Sequence, residues 1–167
     1  MAVYPLEQIA LIKKRRLEDA EKVLQEKKNL LMKEEQKLDE LKKDRDHVQN
    51  HRDDKLLQLR NELDNRNSTT SIKIQQMKVY LKDVEEKLRL KESKVQEQQK
   101  VVDKANQAVE AARQELLKKQ QAVEKMKLHR KEWEKQELAE QERKDALLND
   151  EIGTISFLRN RAKNQEL

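Results

Sequence analysis

The chain has 167 residues, 38 of them Lys or Arg and 33 Asp or Glu, so 43% of positions are charged while 35% are apolar and 2% aromatic. One Gly, one Pro and no Cys exclude a turn-rich β-sandwich, a disulfide scaffold, thiolate-bound zinc and a cysteine nucleophile. Too little apolar material remains for an ordinary globular core, which leaves disorder or long helix. Ala, Glu, Lys, Leu, Gln and Arg dominate, all strong helix formers, and a sustained 3.5-residue period in such a composition specifies a coiled coil. The net charge of +5 comes from interleaved charges of both signs. That argues against a nucleic-acid site, where Lys and Arg concentrate on one face. No run approaches about 18 consecutive apolar residues, and Met1 to Ile12 lacks the basic start and small-residue cleavage site of a signal peptide. A soluble protein in a reducing cytoplasm is expected.

The first helix is predicted over about 5–64, because Pro5 suits the opening turn and neither Gly nor Pro occurs from Leu6 to Leu63. Asp64, Asn65, Arg66, Asn67, Ser68, Thr69 and Thr70 are the one interior cluster of turn and cap formers, so a loop is expected at about 65–70. A second helix follows over about 71–151, capped by Ser71 or Thr70, with residues 152–167 as a C-terminal tail after the lone Gly153. At 1.5 Å per residue the two helices run ~87 and ~120 Å.

Apolar residues recur every seven positions in the second helix: Ile74, Leu81, Leu88, Val95, Val102, Val109, Leu116 and Val123. The first helix carries Ala10, Leu17, Leu24, Leu31, Leu38, Arg45, Arg52 and Leu59 at the same step, with Ala20, Leu41 and Val48 three residues after their a positions. Such a seam implies a left-handed supercoil. A hairpin turning near residue 68 pairs residues whose numbers sum to about 136, and that pairing also sets a positions against d positions. It matches Leu59 with Met77, Arg52 with Val84, Leu38 with Gln98, Leu31 with Ala105, Leu24 with Ala112 and Ala10 with Met126. Val48 with Leu88, Leu41 with Val95 and Ala20 with Leu116 form the alternate layers. The expected fold is therefore all-α: a single chain forming a long two-helix antiparallel coiled-coil hairpin with an overhanging C-terminal helical segment. The core seam comprises Leu24, Leu31, Leu38, Leu41, Val48, Leu88, Val95, Val102, Val109 and Leu116.

Several positions depart from the apolar pattern. Lys27, Glu34 and Lys55 occupy d positions and must snorkel, and Arg45 meets Lys91 in a like-charge layer. Residue 6 falls opposite residue 130, so the chain beyond about Glu134 has no partner in the first helix. There Leu147, Leu148, Ile152, Ile155, Phe157 and Leu158 surround Gly153. This cluster either forms a contact site or folds back near Tyr4 and Trp133.

Little in the chain suggests chemistry. His47 and His51 share a helix face at i, i+4, but no Cys is available and no Glu follows His47, so surface histidines explain them better than a metal site. Carboxylate pairs on an exposed coil lack a desolvated pocket, and no Gly-rich phosphate loop exists. No catalytic residue, cofactor, metal or small-molecule substrate is expected. Lys13, Lys14, Arg15 and Arg16 form the densest basic run, beside Ile9, Leu11 and Ile12. They can engage an acidic protein surface, anionic lipid or RNA, or simply solvate one helical turn. Trp133 falls at a d position opposite Val3 and Tyr4, where it closes the open end of the hairpin. Tyr80 flanks the seam near the loop, and Val79 and Leu90 lie on the outer face.

Tyr4-Pro5-Leu6-Glu7, Ile12-Lys13-Lys14, Arg16, Ala20-Glu21-Lys22-Val23, Glu26-Lys27 and Leu30-Leu31 resemble the chlamydial members of the YscO family of type III secretion proteins. Asn50-His51, Gln58-Leu59-Arg60, Met77-Lys78 with Tyr80, and Leu128-His129 with Glu132-Trp133 extend the resemblance over nearly the whole chain. It implies a non-enzymatic central stalk or adaptor of the export apparatus, similar to the flagellar protein FliJ, cytoplasmic and peripheral to the inner membrane. The implied partners are the hexameric export ATPase, the export-gate membrane protein and secretion chaperones, with no nucleic acid. In that reading Tyr4, Leu6, Ile9, Ile12, Lys13, Lys14, Arg15, Arg16, His129 and Trp133 form the ATPase-facing end. Leu57, Asn65, Val79 and Tyr80 form the export-gate or chaperone end. A generic coiled-coil scaffold or chaperone needs only the same hairpin, and a nucleic-acid-binding coiled-coil arm would reveal itself by steep salt dependence.

Overall fold

The computed structural model describes residues 2–65 and 70–165, which form two α-helices and no strand. Helix α1 is Glu7–Asp64 and helix α2 is Ser71–Gln165. They pack against each other as an all-α helical hairpin.

Local chemistry sets the helix ends. The Glu7 N–H donates to the Tyr4 carbonyl at 3.2 Å and the Ala10 N–H to the Leu6 carbonyl at 2.9 Å. Pro5 thus lies in an entry turn just before the helix, and Glu7 places a carboxylate at the positive end of the helix dipole. At the far end of α1 the Asn65 N–H donates to the Asn61 carbonyl at 3.1 Å. Thr70 caps α2: its Oγ1 accepts the Lys73 N–H at 3.4 Å and its carbonyl the Ile74 N–H at 3.2 Å, while Ser71 is already helical. The rest of the predicted loop, Arg66 to Thr69, lies outside the described residues.

Helix α2 does not stop before the glycine expected to open a tail but continues through it to Gln165. A glycine C-cap adopts a left-handed conformation, and Gly153 has no positive φ. One helical glycine costs about 1 kcal/mol relative to alanine. That is too little to end a helix flanked by Ala146, Leu147, Leu148 and Leu158, with no proline following.

Packing divides the hairpin into two units, Glu21–Glu115 and Met1–Ala20 with Leu116–Leu167. In Glu21–Glu115, Leu38, Val95 and Val102 form a buried cluster with Leu31 and Leu41 against it. Leu59, Val84, Leu88, Ala105, Val109 and Ala112 are also buried. Helix α2 contributes seven buried residues and α1 two. Around Leu38, the longer Leu31, Leu38 and Leu41 side chains of α1 pack over Val95 and Val102 of α2. On α1, Leu24, Leu31, Leu41 and Val48 are half-buried.

Most polar seam positions find local partners. Arg45 donates to Asp46 through two nitrogens at 3.1 and 3.0 Å, and Arg52 likewise to Asp53 at 3.2 and 3.0 Å. Lys27 is exposed, whereas Glu34 and Lys55 are half-buried. The Gln98 side-chain amide donates to the Glu34 carboxylate at 2.6 Å and to the Glu34 carbonyl at 3.1 Å. Gln98 thus reaches one turn past the Leu38 expected opposite it, while Val95 and Val102, on either side of Gln98, close around Leu38. Such an offset is what a knob fitting between residues of the facing helix produces.

The Gln98 hydrogen bond holds the Glu34 carboxyl below the ordinary carboxylate range. Partial desolvation opposes it, and Lys37, 3.3 Å away, adds to it. A depressed carboxylate contributes stability that is present above the ordinary carboxylate pKa and is lost as pH falls through the lowered value. Glu34→Gln is therefore expected to flatten part of the acid-side decline in Tm, and superimposable melting-against-pH curves for the two proteins would remove this role. At Gly153 nothing lies within 4 Å of an added Cβ. Gly153→Ala should stabilise the surrounding helix by about 1 kcal/mol, read as slower amide exchange over residues 150–165.

Candidate functional site

In the unit containing both chain ends, Tyr4 precedes α1 and is only 4% exposed. Its hydroxyl shares a 2.6 Å hydrogen bond with His129 Nδ1. Its ring meets Trp133 edge-on, with centroids 5.3 Å apart, and the Arg130 guanidinium lies 5.6 Å above it. Arg130 also pairs with Glu7 at 2.9 Å and Glu134 at 3.3 Å. His129, Arg130 and Trp133 follow at helical spacing, so one stretch of α2 presents all three to the start of α1. The result is a clamp of aromatic, cation–π and charge-assisted contacts. Arg130 was missing from the residues chosen by sequence, although its i, i+4 spacing to Glu134 and a register that sets it near residue 6 both pointed to it. Beside the clamp runs a groove of about 520 Å³, with Val3, Tyr4, Trp133 and Leu138 as apolar lining and Glu7, Glu134 and Glu137 as acidic lining.

The basic run is not one face. Successive helical residues rotate by about 100°, so Lys13, Lys14, Arg15 and Arg16 encircle α1, and Lys13 is half-buried while the other three are exposed. Leu6 is half-buried; Ile9 and Ile12 are 45% and 48% exposed. Ile9, Ile12 and Arg16, at i, i+3 and i+7, share a single amphipathic stripe. Lys14, Arg15 and Leu11 project elsewhere around the helix.

Within Glu21–Glu115 a second aromatic cluster forms on the surface. Tyr80 OH and His51 Nε2 share a 2.9 Å hydrogen bond, the rings meet edge-on with centroids 6.0 Å apart, and Lys55 Nζ lies 5.6 Å from the Tyr80 ring centre. His51 therefore partners Tyr80, and among the described residues no group of three or more His, Cys, Asp or Glu is placed to hold a metal. A groove of about 630 Å³ beside Tyr80 is lined by Lys55, Gln58, Asn61, Glu62, Lys73, Gln76 and Met77. Val79 and Leu57 are 61% and 57% exposed, and Asn65 is exposed beyond the end of α1.

The C-terminal apolar cluster does not fold back. Every residue of α2 from Leu138 to Gln165 is exposed. No described helix is long and apolar enough to cross a membrane. The described residues thus carry an aromatic clamp beside an amphipathic stripe, a surface cluster of Tyr80, His51 and Lys55, and an uncovered apolar helix face.

Trp133 is the single tryptophan of the chain and reports on the clamp. Tyr4→Ala is expected to red-shift its emission and speed amide exchange in the first turns of α1. Tyr4→Phe keeps the ring contact and should cost only about 1 kcal/mol locally; unchanged emission in Tyr4→Ala would contradict the clamp. Among known proteins, the model of the YscO-like family matches residues 1–163. The solved structure of a candidate YscO homolog from Chlamydia trachomatis, CT670, is similar with a TM-score of 0.92 at 41% identity, covering 98% of this chain and 99% of that one. A search of curated proteins finds no match. Two long packed helices, matched almost end to end in sequence and in structure, mean that this chain belongs to the YscO-like family.

Proposed function

We propose that this YscO-like protein, which its family associates with type III secretion, is a non-enzymatic stalk or adaptor of the export apparatus. In this reading it binds and modulates the hexameric export ATPase through the unit that carries both chain ends. It contacts the export-gate membrane protein and secretion chaperones through the surface around Tyr80 and Val79. It works in the cytoplasm, peripheral to the inner-membrane apparatus.

The observation that carries the reading is the family match over residues 1–163 together with an amphipathic stripe held by the Tyr4 clamp. Tyr4, His129, Trp133 and Arg130 pin the start of α1, so Ile9, Ile12 and Arg16 are presented without the entropic cost of ordering a frayed terminus on binding. The isoleucines can bury apolar surface at about 25 cal/mol per Å². Lys14, Arg15 and Arg16 attract an acidic wall, and exposed ion pairs of ~0–1 kcal/mol each make such contacts fast and reversible. Tyr80, braced by His51 and Lys55, offers a rigid aromatic anchor of the type that dominates protein interfaces.

The test uses purified export ATPase and the cytoplasmic part of the export gate. Ile9→Asp with Ile12→Asp is expected to abolish capture of the ATPase and any effect on its hydrolysis rate. Charge reversal of Lys13 to Arg16 should weaken both, most at low salt. Unchanged capture at low salt by both variants overturns the ATPase assignment. Tyr80→Ala with Val79→Ala should lose export-gate binding while still acting on the ATPase, and full retention of gate binding removes the second surface.

A further inference from the structure

The C-terminal stretch of α2 is an exposed apolar feature that α1 does not cover. At about 100° per residue, Leu147, Leu148, Ile152, Ile155, Leu158 and Ala162 fall within an arc of about 140° on one side of the helix. The five large residues are between 55% and 64% exposed. Two charges share the face, Glu151 near its middle and Arg159 toward its edge. Neither forms an ion pair among the described residues.

We infer that this face pairs with the same face of a second copy, antiparallel, about a two-fold axis at Ile155. The spacing of the residues carries the inference. An axis there sets Ile155 against its own copy, Ile152 against Leu158, and Leu148 against Ala162, with large residues meeting smaller ones toward the ends. The same axis places Glu151 opposite Arg159 twice, once on each side, so the two charges within the apolar face become two symmetric ion pairs. Leu147 falls opposite Lys163, whose aliphatic stem can cover it. Such a surface is self-complementary, as an isologous interface requires. Moving the axis half a heptad, to between residues 151 and 152, sets Lys144 against Arg159 and Leu158 against Asp145, so like charges and a buried carboxylate oppose that register. Gly153 and Phe157 lie on the opposite side of the helix and leave the seam undisturbed. Four turns of helix form a small seam beside the ~1,200–2,000 Å² of stable complexes, so the pair is reversible and its population depends on concentration.

Sedimentation equilibrium of the full chain over a hundredfold concentration range tests this. The mass should rise from one chain toward two, and Ile155→Asp should stay at one chain with unchanged helicity by circular dichroism. Glu151→Arg and Arg159→Glu should each weaken self-association, by about tenfold, and the double exchange should restore it. Because the chain has no cysteine, crosslinking reads the geometry. Ile155→Cys should oxidise to a covalent dimer, and Leu148→Cys should do so only when mixed with Ala162→Cys. A constant one-chain mass for the native protein overturns the inference. So does crosslinking of Leu148→Cys with itself as readily as Ile155→Cys, which would show a parallel pair.

Discussion

Everything in this protein depends on a single apolar seam between two helices. A coiled coil buries only its a and d positions, so each layer has to be closed by two or three side chains, and size matching across it decides how well water is excluded. Here the leucines of α1, Leu31, Leu38 and Leu41, lie over the short Val95 and Val102 of α2, with Ala105, Val109 and Ala112 buried along the same face. Outside this stripe the helix faces meet water. The 43% charged composition is what that geometry requires, and it explains why a chain with so little apolar content can still fold.

A uniform leucine seam would be more stable but less specific, since heptads are equivalent under shifts of seven residues. Polar layers remove that degeneracy. Gln98, bonded to both the carbonyl and the carboxylate of half-buried Glu34, favours one axial offset, since a polar group at the seam can specify register. The arginines at Arg45 and Arg52 act differently. They turn to the neighbouring aspartates and stay half-solvated, avoiding the cost of an unpaired buried charge.

Two neighbouring stretches of α2 contrast in how they are covered. Near the chain start, Tyr4 is enclosed by His129, Arg130 and Trp133, which suppresses the fraying that costs helix termini their order. Past Glu137 the same helix has no covering element, and its apolar residues face solvent as far as it is described. One region offers a preorganised amphipathic stripe, and the other an apolar face whose charges suit its own symmetric copy. The chain that carries both belongs to the YscO-like family.

Periodicity was readable because it is local: Leu88, Val95, Val102 and Val109 repeat every seven residues whatever they face, and the turn formers between Leu63 and Ile74 imply a hairpin. The residues Tyr4, His129 and Trp133 were also readable as neighbours, because antiparallel register brings their numbers together. Other features depended on distances shorter than a helical turn. Whether Gln98 meets Leu38 or Glu34, whether Thr70 or Ser71 caps α2, and whether His51 turns to His47 or to Tyr80 are all settled by axial offsets and rotamers that a heptad pattern leaves open. The passage of α2 through Gly153 was hidden for a related reason, since a single glycine is a weak breaker and only the surrounding backbone decides between cap and interior. The amino-acid sequence by itself determined two helices, one seam and their antiparallel pairing, because these follow from hydrophobic spacing. The tertiary structure alone decided which polar groups meet across the seam and which apolar faces remain open, because those depend on where each side chain lies relative to a partner far away in the chain.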